Sequence, residues 1–171
     1  MDPAKITEEY YGKIYKLALY YLKNGSEAED LTQDIFFKVL KNLSSFKMES
    51  QVYTWIYRIA VNTLTNYLRR KKIVQFISFD KDDLNEKNLP PDEEKDPAAR
   101  MELEEEKQNK LKKLDSALNT LTSREKGAFF FFHYEKIKQK DIAVIMGTSV
   151  SAVESLIFKS TKKIKRFLAG L

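Results

Sequence analysis

With 171 residues, 43% of them hydrophobic, the chain is long enough for one medium domain or two small ones with cores of their own. It has no cysteine and a single histidine, His133, which excludes disulfides, thiolate catalysis, cysteine-based zinc sites and any histidine metal cluster. No run of about 18 apolar residues is present, and the N-terminal MDPAKITEEYYGK lacks the apolar core of a secretory signal, so a soluble cytoplasmic protein without membrane insertion is expected.

Lysine and arginine total 30 against 25 acids, a formal charge of +5. The signs are segregated. Residues 80–106 hold twelve acids and four bases, a net of −8, which leaves +4 on residues 1–79 and +9 on residues 107–171. Two basic lobes joined by an acidic strip point to surfaces for a polyanion and to a segment that avoids or imitates it.

Thr7 is placed to cap a first helix over about residues 8–23, with Tyr11, Ile14, Leu17, Ala18, Tyr21 and Leu22 on one face and Asn24-Gly25 as its stop. Ser26 and Glu29 then read as an S-x-x-E capping box opening a second helix that ends near residue 42. Leu31, Ile35, Val39 and Leu43 make one apolar line, while Phe36, Phe37 and Leu40 spread beyond what a single packing face requires. Asp30, Gln33, Asp34, Lys38 and Lys41 lie among them. Such a helix is either sandwiched between two neighbours or carries a docking face for a protein partner.

Residues 44–51 break the periodicity and read as a loop. Phe46 and Met48 in that loop either tuck into the lobe's own core or serve as wedges between bases, or as walls of a pocket for a flipped one. The long helix that follows, over about residues 52–70, has two faces. Val52, Trp55, Ile56, Ile59, Ala60, Thr63, Leu64, Tyr67 and Leu68 recur at three- and four-residue steps and mark the buried side. The other side presents Tyr53, Tyr57, Arg58, Asn62, Asn66, Arg69 and Arg70, groups that stack on bases, hydrogen-bond base edges and reach phosphates. After residues 69–72, RRKK, the segment VQFISF is either a short extended piece or tucks against the lobe.

Beyond residue 80 the composition changes. The stretch KDDLNEKNLPPDEEKDPAARMELEEE combines three prolines with dense acid and has too little apolar surface for a core. It is a flexible acidic linker, either a solvated tether or a strand that occupies a basic channel.

A second helical lobe follows. Leu111, Leu114, Ala117, Leu118 and Leu121 give one helix, and Thr122 with Glu125 forms a capping box that opens the next, GAFFFFHYEK. Its four consecutive phenylalanines are expected to be buried, with one or two facing a partner or the first lobe, and His133 at the polar end is expected to stabilise carbonyls rather than do chemistry. From Gln139 the chain reads QKDIAVIMGTSVSAVESLIFKSTKKIKRFL. Counting Gln139 as one, Ala143 at five permits a close helix crossing, Gly147 at nine accepts a left-handed turn, and Val153 at fifteen with Leu156 at eighteen seats the second helix. This is a helix-turn-helix pattern, and its basic tail of Lys159, Lys162, Lys163, Lys165 and Arg166 favours DNA over a purely structural role.

At this point the chain resembles a known family, the extracytoplasmic-function sigma factors of bacterial RNA polymerase. AEDLTQDIFFKVLKNLSSF followed by YTWIYRIAVNTLTNYL is similar to that family's region two, and LTSREKGAFFFFHYEKIKQKDIAVIMGTSVSAVESLIFKS to its region four. The resemblance implies an all-α protein of two small helical domains, region two over 1–75 and region four over 107–171, joined by an acidic flexible linker over 76–106 that threads the polymerase's active-site and RNA-exit channels. It also implies that Asp30, Leu31, Gln33, Asp34, Phe36, Phe37 and Leu40 belong to the segment that docks on the clamp of the largest polymerase subunit. Phe46, Lys47, Met48, Glu49 and Ser50 match the loop that receives a flipped minus-ten base. Asn62, with Tyr53, Tyr57, Arg58, Asn66, Arg69 and Arg70, matches the helix face that engages promoter DNA there. Residues 139–158 match the helix-turn-helix that reads the minus-thirty-five element. Ser151, Ala152, Glu154 and Ser155 are then placed at base edges, with Gln139, Ser149, Phe158, Lys159, Lys162 and Lys163 around them.

Four positions depart from the family's common pattern: Met48 where glycine is usual, Glu154 in place of a basic residue, and Leu156 and Thr161 in place of arginines. They put the strength and specificity of promoter contact in question. The partners implied are core RNA polymerase, through its clamp and flap, promoter DNA in duplex and single-stranded form, and an anti-sigma factor. No metal or cofactor is expected, and no glycine-rich phosphate loop or catalytic dyad points to an enzyme. The expected function is initiation of transcription as a sigma subunit. A stand-alone helix-turn-helix regulator is the alternative; it would need neither the DLTQ helix nor the acidic linker. A third possibility is a protein that occupies polymerase without initiating.

Overall fold

The computed structural model describes residues 2–46, 51–77, 109 and 112–170, with the backbone alone for 73–77. The expected base pocket at Lys47, Met48, Glu49 and Ser50 and the acidic strip of residues 80–106 lie outside the described residues. Among the described residues there are helices and turns and no strand. By packing they divide into two units, one of α1, α2, α3 and α6, the other of α4, α5 and α7.

The first unit opens with α1, Pro3–Leu22. The helix starts earlier than Thr7 because Asp2 caps it, accepting from the Ala4 N–H at 3.0 Å, and Pro3 takes the first turn, where its missing N–H costs nothing. Thr7 instead bonds back to the Pro3 carbonyl from inside the helix. Lys23, left-handed at φ 57°, ends α1, and Asn24 immediately caps α2, Gly25–Lys41, by accepting from the Glu27 N–H at 3.0 Å. The expected Ser26–Glu29 box is therefore replaced by a single cap two residues earlier, because Asn24 lies in the extended conformation that a cap requires.

A single 3-10 turn, Leu43–Ser45, leads away from α2, and α3 runs Val52–Ile77. It continues past the expected end near residue 70, since no proline or glycine interrupts residues 52–77 and arginine and lysine are good helix formers. The VQFISF segment thus begins as helix. Ile14, Leu17 and Ala18 of α1, Ala28, Ile35 and Val39 of α2, and Ile56, Ala60 and Leu64 of α3 are wholly buried and make the core. α6, Gln139–Met146, buries Ile142, Ala143 and Ile145.

In the second unit α4 spans residues 112–119 and α5 spans Ser123–Phe129. The expected capping box is present: Glu125 N–H donates to Thr122 Oγ1 at 3.3 Å and Glu125 Oε2 accepts from Thr122 N–H at 2.9 Å. The helix then widens into a π turn, Phe130–Tyr134, closed by Glu135 N–H on the Phe130 carbonyl. Wider winding brings successive residues closer in angle, which lets both Phe130 and Phe131 turn inward. Phe129 and Phe132 remain half-buried. α7, Val150–Leu168, packs on α5 through Val153, Ile157 and Ile164, so Ile157 is more deeply buried than the expected Leu156.

Candidate functional site

Three exposed surfaces carry the chemistry, two in the first unit and one in the second. On α2, Leu31 and Phe36 are buried, Phe36 with its ring 5.3 Å from Tyr11, so neither is offered to a partner as the sequence led one to expect. What α2 leaves outward is Asp30, Gln33, Asp34, Phe37 and Leu40. Phe37 is 69% exposed, a large apolar side chain in water with acids beside it.

The second surface is the outer row of α3. Arg58, Asn62, Thr65, Asn66, Arg69 and Arg70 are all exposed and follow one another at helical spacing, with the Arg69 guanidinium donating to the Asn66 amide oxygen at 3.2 Å. Tyr57 does not join them. It is 2% exposed and belongs to the core, against the expectation of a base-stacking residue. Tyr53 is half-buried and its hydroxyl donates to the Asp141 carboxylate of α6 at 2.9 Å. Burial first, then that carboxylate, raises the Tyr53 pKa above its ordinary value, so it stays a neutral donor. Trp55, half-buried, meets Phe46 in a tilted ring contact with centroids 5.0 Å apart, which ties the beginning of the loop to the start of α3.

Two contacts without a local sequence signal join the α2 and α3 surfaces. Lys38 Nζ donates to the buried Thr63 hydroxyl at 3.2 Å, and Lys71 Nζ reaches both oxygens of Glu27 at 2.7 and 2.8 Å. Their partners stand 25 and 44 positions apart, beyond the reach of any periodicity.

The third surface is α7. Gly147 takes φ 60° at the end of α6, the Thr148 N–H returns to the Ala143 carbonyl at 3.0 Å, and Ser149 caps α7 by accepting from the Ala152 N–H at 3.2 Å. These are the small residue, the left-handed glycine and the cap that a helix-turn-helix needs. Ser151, Glu154, Ser155, Phe158, Lys159 and Lys162 are exposed along α7, Phe158 at 68%, while Ala152 and Gln139 are half-buried. Thr161, half-buried, meets His133 Nε2 at 3.2 Å, and burial followed by the nearby Lys136 charge lowers the His133 pKa, so the ring is neutral near pH 7. Lys163 is another of the expected DNA contacts that the structure places elsewhere. It is drawn back onto α5, where its ammonium lies 2.8 Å from Glu125 Oε2.

The profile of sigma-70 region 2 matches residues 6–73, and that of sigma-70 region 4 matches residues 111–164. Together they span well over half of the chain. The RNA polymerase sigma-H factor of Pseudomonas aeruginosa is 31% identical over 170 residues, covering 95% of this chain and 84% of that protein. The ECF RNA polymerase sigma-E factor of Escherichia coli (strain K12) is 31% identical over 163 residues, covering 91% and 80%. The chain belongs to the ECF sigma factors. Its fold is shared with the sigma factor RpoE of Bartonella quintana, solved in complex with the anti-sigma factor NepR, at a TM-score of 0.76 and 18% identity over 97% of this chain and 96% of that one.

In this sigma factor region 2 contains α1, α2 and α3, and region 4 contains the α6–α7 motif. The exposed rows of α3 and α7 thus fall in separate matched regions, as do the exposed Phe37 and the helix-turn-helix. No single helix among the described residues is long and apolar enough to cross a membrane.

Proposed function

We propose that this RNA polymerase sigma factor docks on core polymerase through α2, engages the minus-ten element through α3 with the loop before it, and reads the minus-thirty-five element through α7. In this proposal region two occupies residues 1–75, the acidic linker 76–106 and region four 107–171. The observation that carries it is Phe37, 69% exposed on the helix that bears the DLTQ sequence. An aromatic side chain of that size held in water is a binding anchor waiting for a partner's pocket. The acids Asp30 and Asp34 beside it favour a basic partner surface, whereas the arginine and asparagine row of α3 favours nucleic acid, so one small lobe offers two surfaces of opposite preference.

On α3 the amides of Asn62 and Asn66 can pair with base edges of an opened strand, and Arg58, Arg69 and Arg70 can neutralise its phosphates. On α7 the exposed Phe158 suits thymine methyl groups, and Ser151 and Ser155 suit base-edge hydrogen bonds. The solved complex of RpoE with the anti-sigma factor NepR supports an anti-sigma partner here as well. A stand-alone regulator is not favoured, because the region 2 match extends over residues 6–73, which such a protein does not need.

Run-off transcription with purified core polymerase on a library of promoter sequences tests the proposal. Sequence-selective transcripts above core alone are expected. No product above core alone would overturn it.

A further inference from the structure

Glu125 and Lys163 carry an inference that goes beyond the promoter-reading role of α7 and rests on it. The Glu125 side chain is 6% exposed, and a single oxygen, Oε2, accepts both the Thr122 N–H at 2.9 Å and the Lys163 ammonium at 2.8 Å. Lys163 stands one turn beyond Lys159 on the same flank of α7. Left to itself it would extend the cationic row that Lys159 and Lys162 present to a polyanion. To reach a phosphate it must abandon a buried carboxylate, and an uncompensated buried charge is costly.

We propose that Glu125 withholds Lys163 from DNA and so acts as a specificity-determining residue of the helix-turn-helix. Each cation that neutralises a phosphate adds attraction for every sequence alike, which raises affinity and dilutes discrimination. By occupying Lys163, Glu125 removes one such contact without shortening α7 or altering the side chains at base edges. The Lys163 contact has no equivalent in a local pattern on α7, since its partner opens a helix 38 positions earlier.

The test uses holoenzyme reconstituted with the full-length chain and a duplex promoter carrying both elements. The slope of log affinity against log salt is measured for wild type, Glu125→Gln, Lys163→Gln and the double variant. Glutamine at the third helical position still completes a capping box, so Glu125→Gln frees Lys163 while keeping the cap. Glu125→Gln should steepen the slope by about 0.9, so that a fourfold rise in salt weakens it about 3.5-fold more than wild type. It should also narrow the ratio of promoter to random-sequence affinity. Lys163→Gln alone should leave the slope unchanged, and the double variant should return to it. A slope that becomes shallower by about 0.9 in Lys163→Gln would mean that Lys163 already sits on a phosphate, and would overturn the proposal. So would a Glu125→Gln slope equal to wild type. Should Glu125→Gln fail to fold, the Lys163→Gln slope decides alone. A wild-type holoenzyme that does not discriminate promoter from random duplex would instead fail the promoter-reading role of α7.

Discussion

Lys71, near the end of α3, closes on Glu27, in the first turn of α2, with its ammonium 2.7 Å and 2.8 Å from the two carboxylate oxygens. The pair fixes the basic end of α3 to the beginning of the helix that carries Phe37. Lys71 is therefore a structural cation, unlike its exposed neighbours Arg69, Arg70 and Lys72. Because it is more than a third exposed, water screens it. Glu27→Gln should cost about 0.2–1 kcal/mol of stability. Urea unfolding in low and high salt measures this, and the loss should shrink as salt rises.

Tyr57→Ala separates a core role from a base-stacking role. At 2% exposure the ring is part of the packing between helices, and its truncation should destabilise the protein by about 3–5 kcal/mol. Thermal or urea unfolding of the free protein reads the effect without any nucleic acid. A variant of wild-type stability that loses promoter binding would place the ring on the outer face after all.

Asn62→Ala should behave in the opposite way. The side chain is exposed, so stability should stay within about 0.5 kcal/mol of wild type. Binding of holoenzyme to a minus-ten single strand should weaken by about 1–3 kcal/mol, and only where the base that Asn62 reads is present. Equal weakening on all sequences would assign Asn62 to phosphate contact instead.

Phe37→Ala should leave folding intact, because the ring contributes little to the core. Affinity for core polymerase should fall by about 2 kcal/mol or more, the range of an anchoring aromatic residue. Competition against wild-type protein for core polymerase gives the number. Unchanged competition would remove α2 from the docking surface.

Acid should loosen the second unit through Glu125. Burial pushes its pKa up, but the Lys163 ammonium and the Thr122 N–H and hydroxyl outweigh burial and hold it below the ordinary 4.5. A lowered folded value means that this stabilisation is complete above 4.5 and is lost as pH falls through the folded value. Thermal unfolding from about pH 5 down to about pH 3 should therefore fall more steeply in wild type than in Glu125→Gln. Parallel curves would show that the carboxylate is not held.

Local chemistry was legible where the signal was local. The Thr122–Glu125 box, the left-handed Gly147 and the apolar line of Ile56, Ala60 and Leu64 all follow from short spacings. Tyr57 was readable as well, since Tyr57, Val61 and Leu64 stand at i, i+4 and i+7, but a tyrosine's polar tip drew it to the outer face. The α2 cap shows competition between two patterns. Asn24 and Glu27 repeat the spacing of Ser26 and Glu29, and the left-handed Lys23 decides between them. The resemblance carries Leu31 and Phe36 into the docking segment along with their neighbours, although α1 covers one side of the helix. Lys71 and Lys163 were not legible, because their partners are brought near only by the packing of distant helices.

The unbroken course of α3 has a metric consequence. At 1.5 Å per residue, the twelve steps from Arg58 to Arg70 span about 18 Å. On the proposed reading of α3, the outer row is a ruler whose graduations are fixed by the peptide backbone. One residue inserted between Asn62 and Asn66 would turn the far half of the scale by about 100° and leave two short segments facing different directions.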